Sequence, residues 1–178
     1  MRDIRTLRSL SEQRLRGIPI PQPFDLQVFA AAVGAKVGRP VEIHDLPTSD
    51  SRLEGVSGAW LSTDRAEIIH LEPGTSGWHR DLIALHEFGH LLSNHPTDPD
   101  WDREQLAKHF PGLSPEALDR MRFRHARDGY SYDEEEEAEM IASVILDRAD
   151  IGPPPDVHDS GSLQSRLAEA LRHPLRHV

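Results

Sequence analysis

Apolar residues along the chain alternate between helical and strand-like spacing. Leu7, Leu10 and Leu15 share one side of an otherwise polar segment over 3–16, which predicts an amphipathic helix. The prolines of GIPIPQP then enforce an extended connector, because each lacks an N–H and restricts the residue before it. Phe24 to Val37 returns to helical spacing through Phe24, Leu26, Val28, Phe29, Ala32 and Val33, with Gly34 or Gly38 near its end. Pro40 to Leu46 predicts a short strand around Val41 and Ile43. Gly58 to Leu61 and Ala66 to Leu71 are two β-like runs flanking Ser62-Thr63-Asp64-Arg65, the pattern of a hairpin, and Pro73-Gly74-Thr75 closes it.

A longer helix follows. From Trp78 to His95 the chain reads WHRDLIALHEFGHLLSNH, with Leu82, Ile83, Leu85, Phe88, Leu91 and Leu92 on a broad apolar face. Ser76 is its expected N-cap, and Asn94 and Pro96 stand where it should stop. Asp102 to Phe110 reads as a short helix. Ser114-Pro115-Glu116 opens another with a cap, a first-position proline and an acid in the first turn, and it runs to about Asp128. Glu134 to Leu146 and, more weakly, Ser162 to Arg172 complete the set. The expected fold is α+β: a mostly helical single domain with a small antiparallel sheet or hairpin packed before the helix over 78–95. Residues 1–23 form a basic helix and connector, 24–150 the main domain, and 151–178 a proline-rich linker and closing helix.

Composition narrows the chemistry. At 178 residues the chain is long enough for a buried core. It has no cysteine, so any transition metal must be held by His, Asp or Glu. The net charge of −10 argues against nucleic acid as the main partner, although Arg2, Arg5, Arg8, Arg14 and Arg16 make the first helix basic and Asp133 to Glu137 is a block of carboxylates. The longest apolar stretch is interrupted by His86, Glu87 and His90 and is too short for a bilayer. The arginine-bearing N-terminus lacks the apolar region of a secretory signal, which makes a cytoplasmic location the expectation.

The interruption is itself the candidate site. Residues four apart on a helix share a face, so His86 and His90 can aim two imidazoles at one metal ion, while Glu87 is rotated aside to take a proton from water. Chance alone produces an H-E-x-x-H pattern in about 5% of such chains, so the amphipathic helix around it has to carry the assignment. A mostly buried helix makes unpaired polar groups costly, and a bound metal offsets that cost. Two histidines leave a tetrahedral zinc one protein ligand short, with the fourth position open. The extended motif that supplies a third histidine six residues on fails, since that position is Pro96 and His95 is out of register. A glutamate of the run EEEEAEMIASVIL is the alternative. Glu135 and Glu139 are four apart, so one can bind the metal while the other accepts the free N–H of a ligand histidine. Small Ala138 and Ala142 would let that helix lie close to the motif helix, and two or three of Glu134 to Glu137 are expected to be solvated.

With HEFGHLL followed by this glutamate- and alanine-bearing helix, the chain resembles the ImmA/IrrE family of gluzincin-like metallo-endopeptidases over roughly Phe24 to Leu146. The resemblance implies a minimal zincin-like fold and Zn2+ on His86, His90 and Glu135, with Glu87 as general base. It also implies a specific regulatory protein as substrate, a helix-turn-helix transcriptional repressor. Two positions depart from the family pattern: Glu139 stands in place of Asp or Asn, and Ile141 in place of Phe. They leave Glu136 and Glu139 as rival registers for the third ligand. Tyr130, Tyr132 and His125 are candidates for stabilising an oxyanion, and the strand over Ala66 to Leu71 is the expected edge for an extended substrate. The alternative is a zinc-containing binding module that sequesters a transcription regulator without cutting it.

Overall fold

The computed structural model describes residues 3–46, 57–75, 77–95, 122–125 (as backbone) and 132–151. Four helices, α1 (Ile4–Arg14), α2 (Leu26–Val37), α3 (Gly77–Ser93) and α4 (Tyr132–Ala149), surround a sheet of β1 (Val41–Asp45), β2 (Gly58–Ser62), β3 (Glu67–Leu71) and β4 (Arg122–His125). The domain is α+β, as its apolar periodicity predicts. Among the described residues no helix is long and apolar enough to cross a membrane.

Local signals account for both ends of α2 and the end of α3. The Asp25 carboxylate accepts hydrogen bonds from the backbone N–H groups of Gln27 and Val28, both at 2.9 Å, and so caps α2. Gly38 closes it with a bond to the Gly34 carbonyl. At the end of α3, Asn94 takes a left-handed conformation with φ of 51°. The N–H of Asn94 then bonds the Leu91 carbonyl at 3.0 Å and that of His95 bonds the His90 carbonyl at 3.2 Å. This pair of bonds is a Schellman motif, and it folds the residue after Asn94 back over the last turn.

The sheet has the order β1-β3-β2-β4. β2 and β3 form the expected antiparallel hairpin, Gly58 opposite Leu71 and Ser62 opposite Glu67. Two features depart from expectation. β1 runs parallel to β3, with Val41 beside Glu67, so the sheet is mixed rather than antiparallel. Residues 122–125, expected inside a helix from Ser114 to Asp128, instead form β4, antiparallel to β2 with Ala59 opposite His125. Pairing with the side of β2 that β3 leaves open outweighs a helix-start signal eight residues upstream, because a backbone ladder satisfies groups that local propensity only biases. The expected helices over 102–110 and 162–172, with Ser76, Pro96 and Tyr130, lie outside the described residues.

The core lies between the sheet and the helices. Phe29 of α2 meets Phe88 of α3 edge-on, ring centroids 5.1 Å apart, and Trp60, Ile69, Leu71, Leu82, Leu85, Ile141 and Ile145 pack around them. Leu7, Leu15 and Ile18 belong to the same cluster, which places α1 in the main core. Its basic face meets the acidic α4: Arg8 bonds Asp147 at 2.8 Å, and Arg14 pairs with Glu137. The Glu134 to Glu137 block, of which two or three members are expected to be solvated, therefore divides in two. Glu136 and Glu137 are buried and the other two half-buried.

α3 and α4 pack backbone to backbone. A Cβ placed on Gly89 would lie 2.6 Å from both the Cα and the carbonyl oxygen of Ala138. Those neighbours are backbone atoms and cannot rotate away. Gly89→Ala should therefore destabilise the metal-free chain by about 1–3 kcal/mol or more in denaturant unfolding, as forced overpacking does. An unchanged midpoint would contradict the helix contact described here.

Candidate metal centre

The α3–α4 contact aligns two faces. On α3, His86, Gly89 and His90 are spaced three and four residues apart. On α4, Ala138 follows Glu135 by three residues and Ala142 follows Ala138 by four, so all three share a face. Gly89 against Ala138 removes side-chain bulk between the helices, and the adjacent turns carry the polar groups. His86, His90 and Glu135 consequently converge, with one donor atom from each and all three within 4.8 Å of one another. The Nε2 atoms of His86 and His90 are 3.0 Å apart. Glu135 Oε2 is 3.4 Å from the first and its Oε1 is 3.7 Å from the second. The third position of the cluster is thus Glu135, and neither Glu136 nor Glu139 belongs to it.

The donor set fits a divalent cation. Two imidazole Nε2 atoms facing each other 3.0 Å apart can both present lone pairs to one ion between them. Tetrahedral coordination with bonds of about 2.0–2.1 Å would separate the donor atoms by about 3.3 Å, close to the spacing found. His90 is fully buried, and His86 and Glu87 are nearly so, while Glu135 retains a side-chain exposure of 32%. One side of the cluster is therefore open to solvent. Glu135 Oε1 and His86 Nδ1 have no hydrogen-bond partner among the described residues, which leaves the carboxylate with unused acceptor capacity toward the cluster.

Glu87 lies off the ligand face, as its position on the helix requires. Its carboxylate abuts the start of β2: a Cβ on Gly58 would fall 2.8 Å from Glu87 Oε1 and 2.6 Å from the Ile83 side chain. Gly58 is therefore the position that makes room for the acid, and nothing in the spacing of the motif points to it. Burial acts on His86 to lower its pKa, but the Glu135 hydrogen bond and the charges of Glu87, Glu135 and Glu139 outweigh it and raise the value above the ordinary 6.5.

The remaining candidates are placed differently. Glu139 acts on His86 through its charge, and the expected hydrogen bond from a ligand histidine is not made to it: His86 Nδ1 makes none, and both His90 nitrogens face other imidazoles. Tyr132, at the start of α4, is exposed. The Glu136 carboxylate beside its phenol, with the charges of Glu139 and Asp133, raises its pKa, so the hydroxyl keeps its proton. His125 is placed by its backbone in β4 opposite Ala59, whereas it is Gly58 that is turned to α3. The expected substrate edge is corrected outright. β3 pairs with β1 on one side and β2 on the other, so it has no free edge to offer.

One participant was not anticipated. His95, buried beyond the end of α3, places Nδ1 2.9 Å from Nδ1 of His90 and Nε2 3.4 Å from Glu137 Oε2. The readable signal was Asn94: a left-handed residue there makes a Schellman motif, which brings the next residue over the helix position five earlier. Compared with known proteins, the chain matches no protein family, no curated protein and no solved structure.

A histidine pKa raised in the metal-free fold stabilises that fold below about pH 6.5, and the contribution is lost as pH rises through the raised value. Metal requires the neutral imidazole, so its affinity runs the opposite way. Chelator competition should show divalent-metal affinity rising with pH from 6 to 8, and His86→Ala should abolish tight uptake throughout. Affinity independent of pH, or intact in His86→Ala, would remove His86 from the site.

Proposed function

We propose that the chain is a zinc-dependent endopeptidase of the H-E-x-x-H type, with His86, His90 and Glu135 as metal ligands and Glu87 as general base. The observation that carries this reading is the convergence of three ligand groups from two helices beside a buried carboxylate from outside the ligand set. A structural metal site needs the three ligands but has no use for Glu87, whose burial against Gly58 costs desolvation. Zinc bound there would polarise a scissile carbonyl and lower the pKa of water to about 7.

The chain's own residues supply the rest. The Glu87 carboxylate would take a proton from the attacking water and return it to the departing amine. The half-exposed side of Glu135 marks where substrate enters. Among the described residues β4 is paired on one side only, and it lies next to β2, whose Gly58 touches Glu87. An extended segment of substrate would add to β4 rather than to β3.

The substrate class follows from the resemblance of HEFGHLL and the Glu135 helix to the ImmA/IrrE family: one regulatory protein, a helix-turn-helix transcriptional repressor, cut at a specific bond. The net charge of −10 accords with a protein partner rather than a nucleic acid. A cytoplasmic location accords with such a substrate.

Glu87→Gln should keep zinc stoichiometry and repressor binding while slowing cleavage about 100-fold or more, the range lost with a general base. The assay is cleavage of a candidate helix-turn-helix repressor by the pure protein, read by mass spectrometry of the fragments. If Glu87→Gln represses or derepresses as the unaltered chain does, the protein acts by sequestration and the peptidase reading falls.

A further inference from the structure

We infer that His95 is a positioning residue of the metal centre: it accepts the Nδ1 proton of His90 and, held by Glu137 and Arg14, fixes His90 with Nε2 turned to the metal. This rests on the reading of His86, His90 and Glu135 as ligands.

The direction of every bond in the chain follows from donor chemistry. The Arg14 guanidinium can only donate, and it does so to Glu137 Oε2 and, at 2.7 Å, to Ser93 Oγ. Glu137 beside it is an acceptor. His95 Nε2, 3.4 Å from the same Oε2, must then carry a proton. A neutral imidazole has one N–H, so His95 Nδ1 is bare and accepts. Its partner at 2.9 Å, His90 Nδ1, is therefore the donor. That leaves the His90 Nε2 lone pair facing His86 Nε2 and Glu135, the form a metal ligand needs. A ligand histidine whose second nitrogen is held by an outer partner loses both tautomeric and rotational freedom.

Burial makes this arrangement necessary. His90 is 0% exposed and His95 7%, so water is not at hand to satisfy the His90 N–H. Helix termination alone does not explain the side chain. The Schellman bond uses only the His95 backbone, and the contact it brings about is ordinarily apolar. Here it joins two imidazoles instead. The anchor is also remote in sequence: Arg14 lies on α1 and Glu137 on α4, so the N-terminal helix ends in the support of a metal ligand.

The test uses the zinc-loaded full chain labelled with 15N. A through-hydrogen-bond nitrogen–nitrogen coupling is expected between His90 Nδ1 and His95 Nδ1, with the proton on His90. His95→Phe should raise the zinc dissociation constant by about 10–100-fold, the usual effect of losing an outer partner. His95→Asn, which keeps an acceptor at the Nδ1 position, should recover most of that loss. Metal-free thermal midpoints of the two variants should not follow this order, which separates positioning from mere packing. Should His95→Phe fail to fold, the coupling in the unaltered chain and the affinity of His95→Asn still decide. A proton on His90 Nε2, no coupling, or wild-type zinc affinity in His95→Phe would overturn the positioning role while leaving the ligand set intact. A chain that takes up no zinc would instead overturn the ligand reading, and this inference with it.

Discussion

The constraint on which the site depends is the contact of Gly89 with the backbone of Ala138. It brings α3 and α4 closer than ordinary side chains permit, and the distance from Glu135 to the two histidines follows from it. Separating the helices by the width of one methyl group would move the Glu135 oxygens away from both Nε2 atoms. The metal donors would then be present in the sequence but not assembled. Coordination tolerates only a few tenths of an ångström in each bond, so the helix contact must be set by rigid backbone rather than by adaptable side chains.

Each residue of HEFGH consequently serves a different neighbour. His86 and His90 face α4, and Glu87 faces the start of β2. Phe88 enters the core against Phe29, and Gly89 admits Ala138. The two positions left open by the motif are thus the ones that orient the helix about its axis. Phe88 holds one side in the core and Gly89 holds the other against α4, which fixes where the histidines point. Gly58 makes a comparable contribution from the sheet, since any side chain there would displace the Glu87 carboxylate.

What could be read from the sequence divides along physical lines. The motif helix, the hairpin and the helix carrying Glu135 are local patterns of strong periodicity, and they stand close to where the spacing puts them. Spacing alone left Glu135, Glu136 and Glu139 as rival registers for the third position, and the choice of Glu135 came from the resemblance of this segment to a metallopeptidase pattern. The misreadings all involve partners distant in the chain. β4 depends on an open side of β2 some sixty residues earlier, and the parallel placement of β1 depends on the hairpin folding beside it. The burial of Glu137 depends on Arg14 in α1. A run of acids at a helix start is ordinarily solvated, and here the partners that bury it come from elsewhere. Gly58 and His95 were missed for the same reason: their importance is a matter of what approaches them.

The acidic start of α4 shows how these distant pairings serve the site. Four consecutive glutamates packed against a core would repel one another and lose hydration, so each needs its own compensation. Glu137 finds Arg14, and Glu134 stays half in solvent. Glu135 is the member whose compensation comes from the histidine pair. A proton on His86, whose pKa is raised against its burial by the Glu135 hydrogen bond and the charges of Glu87, Glu135 and Glu139, supplies it in the metal-free state, and a divalent cation would supply it more fully. The charge that makes α4 an unusual core helix is therefore the same charge that suits the cluster to a cation.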